Sequence, residues 1–276
     1  MNTSRSNLAI AAVVALAVAH LVGVVTSFDD AARLRWVHDL TGWAGSLIGV
    51  IGTAVAARAF TQGDWLRRVW TLFTVGSTML LLGTALRSYW THAAPNEPFL
   101  TSPLLPVRMV VVVLANVTSV WALVSLALTY HKSGLTPPQT WVSWTRWGVT
   151  AAAALAVAVP QYALDFKRLG DSVPDTWSAI TNIASTVGDM MTVLLIAPIL
   201  RVAYMLRGGK LAWVWWAMAV SGAVWLVYDS KEWLAVLLPG DDAHNLELLR
   251  VLRSPGLALV GLAGFLQRDA VASTAR

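Results

Sequence analysis

Eight runs of roughly 20 or more mostly apolar residues occupy nearly the whole chain, at about 7–27, 41–60, 69–89, 104–130, 145–164, 176–206, 211–238 and 247–267. A bilayer hydrocarbon core about 30 Å thick is crossed by about 20 such residues in a helix. Every backbone polar group must be satisfied inside that core, which turns Val- and Ala-rich runs of this length into helices. Only 13% of the residues are charged, against about 25% in an ordinary soluble domain. The expected fold class is therefore all-α: a polytopic integral membrane bundle of about eight transmembrane helices, one membrane domain over 1–276. The longest polar connections, near 91–103 and 131–145, leave no room for a kinase, nuclease or nucleotide-binding domain.

The first run follows Arg5 and contains Ala17-Val18-Ala19, a small-x-small pattern resembling a signal-peptide cleavage site. The apolar run continues through His20 to Val25, long for such a peptide, so an uncleaved first span is expected. Charge alternates along the connections. Arg5; Arg58, Arg67 and Arg68; Lys132 and Arg146; Arg201, Arg207 and Lys210; and Arg268 and Arg276 all fall on one side of an eight-span ladder. Asp29, Asp30 and Asp39; Glu97; Asp165, Asp171 and Asp175; and Asp241, Asp242 and Glu247 fall on the other. The 20 basic residues divide about 11 to 9, and the positive-inside bias then puts both termini in the cytoplasm of a bacterial-type inner membrane. The net charge of +5 belongs to those loops, and no nucleic acid is expected. Tryptophans fit the ladder as interfacial belts. Trp65, Trp70, Trp141, Trp144, Trp147, Trp213, Trp215 and Trp216 are expected at the cytoplasmic ends, and Trp36, Trp43, Trp90, Trp177 and Trp233 at the outer ends.

An internal duplication is a further expectation. One register sets Gly63 on Gly209, Trp70 on Trp216 and Gly76 on Gly222. A second, one residue different, sets Asn96-Glu97 on Asp241-Asp242 and Arg108 on Arg253. A tandem four-plus-four arrangement would divide the chain into halves 1–131 and 145–267, with a site at the repeat interface. Shared membrane composition also produces such matches by chance.

Polar residues at membrane depth mark the candidate site. Asp189 lies midway along the sixth run, where a carboxylate costs at least about 2.5 kcal/mol. Asn182, Ser185, Thr186, Asp189 and Thr192 recur at three- and four-residue spacing, one polar stripe that serves either helix packing or a cavity. Asp229, Lys231 and Glu232 interrupt the seventh run, AVWLVYDSKEWLAVLL, near its outer end. Two residues turn a helix by about 200°, so Asp229 and Lys231 should diverge and take partners from other helices. Arg87, Arg108, Asp165, Arg250 and Arg253 are the candidates. His20 and Asn116 complete the set; a His20–Asp189 contact would make a proton-linked pair, against the blander reading of a packed hydrogen-bonder. The prolines at 95, 98, 103 and 106 stiffen the 91–108 connection, which either lids an outer cavity or is a plain surface loop.

Several chemistries drop out. With no cysteine, disulfides, thiolate metal sites and cysteine nucleophiles are excluded. No HExxH, GxSxG or Walker A pattern occurs, and His38-Asp39 alone does not make a metal site. Lys231 lacks the acid spacing of a retinal protein, and no second centrally placed histidine offers a haem ligand, so no cofactor is expected. The leading expectation is a ligand-binding sensory or regulatory protein with a polar pocket in the outer half of the bundle, which takes an unidentified small molecule. It would signal through a cytoplasmic or membrane protein partner. A small-solute or proton-coupled transporter is the alternative, and a lipid-active enzyme using outer-face carboxylates a third.

Overall fold

A computed structural model describes residues 5–132, 140–205 and 211–274, and the regular elements among them are all helices. In chain order these are α1 (Arg5–Val25), α2 (Ala31–Arg58), α3 (Trp65–Ala93), α4 (Leu105–Lys132), α5 (Trp141–Arg168), α6 (Val173–Met205), α7 (Leu211–Asp229), α8 (Lys231–Leu237), α9 (Asp242–Arg250) and α10 (Arg253–Thr274). Eight segments are long and apolar enough to cross a bilayer, with α9 and α10 together forming the last, Asp242–Ala272. The chain is a multi-pass membrane helix bundle. Arg207, Lys210 and Arg276, and the side chains of Arg5, Pro198 and Arg201, lie outside the described residues.

Local chemistry sets the helix starts. The Asp30 carboxylate accepts the Ala32 and Arg33 N–H groups at 3.0 and 2.9 Å, satisfying donors that a helix start leaves bare. Because of this cap α2 begins about ten residues before the apolar run at 41, and Arg33, Arg35, His38 and Asp39 are helical. Asp64 caps α3 through Leu66 N–H, and Thr140 and Ser143 form a reciprocal capping box on α5. The seventh run is not one helix. It breaks at Ser230, whose backbone leaves the helical region (φ −91°, ψ 10°). The short α8 then folds back onto α9 through a turn at Gly240, which needs a positive φ of 108°. Buried Asn245 fixes that turn, donating to the Ala235 and Leu238 carbonyls at 3.2 Å each.

Six helices close a ring in the order α2, α3, α4, α6, α7, α10 and back to α2. α1 packs outside the α2–α10 seam, and α5 outside α6 and α7. We call the end carrying the 26–30, 94–104, 169–172 and 230–252 connections the upper end. The α2–α10 seam is the closest approach: a Cβ built on Gly52, Gly261 or Gly264 would overlap the facing backbone, and one on Gly45 would lie 2.6 Å from the Ser254 carbonyl oxygen. Small residues at such a seam let two helix backbones touch.

Below the middle of the ring, side chains from all six helices form one apolar core. It includes Ala56 of α2, Trp70 and Phe73 of α3, Leu123 and Leu126 of α4, Ile196 of α6, Trp215 of α7 and Ala258 of α10. Trp70 and Trp215 are only 1% and 2% exposed. They are core residues and not the belt residues that their position near the span ends suggests. Trp141, Trp144, Trp213 and Trp36 do project from the bundle. Gly52→Val should destabilise the protein by at least about 1–3 kcal/mol, read as a lower melting temperature in detergent. Gly148→Val on exposed α5, where an added Cβ meets nothing, should leave it unchanged; equal effects would contradict the seam.

Candidate functional site

Above the apolar core, the ring encloses a polar cavity of about 220 Å³ lined by α3, α4, α6, α7 and α10, together with Lys231 at the start of α8. Its position follows from what each helix brings to its inner face. α6 contributes Ser178, Thr181, Asn182, Ser185, Asp189 and Thr192; α4 contributes Arg108, Asn116 and Ser119. α3 contributes Ser77 and Thr84, α7 Ser221, Tyr228 and Asp229, and α10 Arg253. Phe73, Leu123 and Met218 belong both to the cavity's lining and to the apolar core, so the core forms its floor. At the upper end the 3-10 turn Phe99–Thr101 packs against α3, α4 and α6. Its Phe99 ring lies 5.3 Å from the Arg108 guanidinium.

The hydroxyls on α6 are partly spent within the helix: Thr186 and Thr192 donate to the Asn182 and Gly188 carbonyls. The larger polar groups are not. Asn116 Nδ2, Arg108 Nε and Arg253 Nη1 are buried without a hydrogen-bond partner among the described residues, and the Asp189 and Asp229 carboxyl groups lie within hydrogen-bonding reach of each other. A buried polar group left unpaired costs about 1–3 kcal/mol, so three such donors beside a carboxyl pair around one cavity mark a place where water or a ligand completes the bonding.

No family model, no curated protein and no solved structure matches the chain. The site is therefore read from its own geometry.

That geometry brings together Asp189, Asn182, Asn116, Arg108, Asp229 and Lys231 around the one cavity. Asp229 and Lys231 both face it, contrary to the divergence expected of an unbroken helix, because the break at Ser230 resets the chain's rotation between them. Lys231 Nζ lies 4.3 Å from the Tyr228 ring centroid, a cation–π contact. Half-buried Arg87 does not line the cavity, though its charge acts on Arg108 and Arg253.

Two expected members belong elsewhere. Glu232 turns to α5, where Arg168 Nη2 lies 2.7 Å from its carboxylate. Fully buried Asp165 anchors that side, accepting hydrogen bonds from Asn182 Nδ2 and Gln161 Nε2 at 3.3 Å each. Trp233, expected in a belt, donates its indole N–H to the Val157 carbonyl at 2.9 Å. His20 makes no pair with Asp189. Its Nδ1 lies 2.7 Å from Ser254 Oγ and its Nε2 2.9 Å from His38 Nδ1, while His38 Nε2 lies 2.8 Å from Glu247 Oε2. One polarity fits the whole chain: Ser254 O–H donates to His20, His20 N–H to His38, and His38 N–H to the Glu247 carboxylate. Glu247 is also bonded to Arg250.

Among the lining residues that the candidate set omitted are Thr84, Tyr228 and Arg253. Arg253 was a candidate partner only; it is 91% buried by its 9% exposure and donates to Thr84 Oγ1 at 2.8 Å. Its alignment with Arg108 in the second repeat register was the other signal in the sequence. His38→Leu should cost about 1–3 kcal/mol by leaving Glu247 Oε2 and the His20 N–H unpaired, measured as a drop in thermal stability. The cavity and any binding to it should survive in the fraction that folds.

Proposed function

We propose that the chain is a sensory or regulatory membrane protein that binds a small polar solute in the upper cavity. The observation that carries this reading is the convergence of three unpartnered buried donors and the Asp189–Asp229 carboxyl pair on one chamber whose lower side is filled by apolar side chains of all six ring helices. A chamber polar above and plugged below suits capture of a solute from one face. Transport would require that plug to part. The two outer-face carboxylates expected to serve a lipid-active enzyme do not share a site, with Asp229 in the cavity beside Asp189 and Glu232 on Arg168.

The net-acidic connections gather at the upper end and the basic ones below. We therefore take the upper end as exoplasmic, both termini as cytoplasmic, and the membrane as a bacterial-type inner membrane. A partner docked on the basic lower loops would carry the signal. The duplication into halves 1–131 and 145–267 is part of the same proposal. The ring order α2, α3, α4, α6, α7, α10 maps onto itself when α2–α4 are exchanged with α6, α7 and α10, and α1 and α5 each sit outside the ring. The register that aligns Arg108 with Arg253 also aligns Thr84 with Asp229. Arg253 bonds Thr84, while Arg108 lies within the electrostatic reach of Asp229.

The test is a solute panel on purified full-length protein in detergent, read by thermal shift and then by calorimetry. At least one small polar solute should stabilise the wild type, and Asp189→Asn should weaken its binding by at least about tenfold, roughly 1.4 kcal/mol. Reconstituted vesicles should show no flux of that solute. Flux that Asp189→Asn abolishes would overturn the sensory reading in favour of transport.

A further inference from the structure

The charges around the cavity do not balance. Arg108, Lys231 and Arg253 line it, against Asp189 and Asp229, and Arg87 lies close enough for its charge to act on both arginines. Among the described residues none of these four cations has a carboxylate within ion-pair distance. The neighbouring acids are already engaged: Glu247 with His38 and Arg250, Glu232 with Arg168, Asp39 with His92. Arg253 is at least nine-tenths buried, and its Nη1, like Arg108 Nε, has no partner. Burying an uncompensated cation costs several kcal/mol, and three arginines held near one another add mutual repulsion.

Resting on the solute-binding reading above, we propose that the ligand is a small oxyanion, its carboxylate or phosphate group held between Arg108 and Arg253 with Lys231 closing from the α8 side. Guanidinium groups present planar, charged donors that match two-oxygen anions. The two arginines approach from the upper ends of α4 and α10, across the ring from each other. Asp189 and Asn116 lie deeper and would meet the rest of the molecule, a donor-bearing portion for the carboxylate. A volume of about 220 Å³ suits a compact anion or a single headgroup.

The same chemistry could arrive from water or from a phospholipid, so the experiment has two arms. Purified full-length protein is titrated at constant ionic strength with inorganic phosphate, succinate and citrate, and separately with mixed micelles containing phosphatidylglycerol. Ethanolamine and glucose serve as cationic and neutral controls. Stabilisation by one of the soluble anions assigns a solute; stabilisation by phosphatidylglycerol alone assigns a lipid headgroup. In either arm Arg108→Gln and Lys231→Gln should each weaken binding at least tenfold. Arg67→Gln, at the lower end, should not. If Arg108→Gln fails to fold, Lys231→Gln and Arg108→Lys decide the matter in its place. Ethanolamine binding that depends on Asp189, with no anion bound, would overturn the oxyanion and leave the pocket standing. No binding in any arm would overturn both.

Discussion

The contact on which the rest of the structure depends is the glycine seam between α2 and α10. In a bilayer, lipid tails are as apolar as leucine, so helices associate through close packing and interhelical hydrogen bonds. Gly45, Gly49 and Gly52 on α2 face Ser254, Leu257 and Gly261 on α10 closely enough that backbone meets backbone. This joins the second helix of the chain to the last and converts a string of antiparallel neighbours into a closed ring. It also fixes the upper end of α10, and so aims Arg253 across the interior at Thr84. His20 and His38 lock the same corner through Ser254 and Glu247.

Once the ring is closed, its two halves have opposite chemistry. Large side chains, Trp70, Phe73, Leu126, Ile196 and Trp215 among them, fill the lower interior. Serine, threonine and asparagine line the upper interior with the charged groups. Small hydroxyl side chains occupy less volume and bond to their own helix carbonyls, so they leave space that the ionisable groups share. The break at Ser230 adds to this by turning Asp229 and Lys231 toward the same chamber. The guanidinium and carboxylate groups that a ligand would meet under the proposed reading are carried by α4, α6, α7 and α10. A signal could reach the lower end along the same helices.

Much of the architecture was legible because bilayer thickness and hydropathy act on whole runs of residues. All eight spans appear as apolar segments, and Asp189 announces itself because a carboxylate at mid-span is costly. What was not legible depends on single contacts or distant partners. The Asp30 cap starts α2 amid charged residues that hydropathy reads as loop. Composition cannot tell a Trp that turns inward, such as Trp70, from one in a belt. His20 finds Ser254 across 234 residues of sequence, and the helix break that turns Lys231 inward follows an ordinary-looking Val-Tyr-Asp-Ser. Arg253 was visible only as a candidate ion-pair partner and as the repeat match of Arg108.

The central proposal is a chamber entered from the upper face and plugged from the lower, and the absence of cysteine from the chain makes it directly measurable. A single cysteine at Ser185→Cys, beside Asp189 in the cavity, can be treated with a membrane-impermeant thiol reagent in intact cells and in inverted vesicles. Labelling in intact cells and protection in inverted vesicles is the outcome this account predicts. Equal labelling from both faces, or from the cytoplasmic face alone, would contradict it.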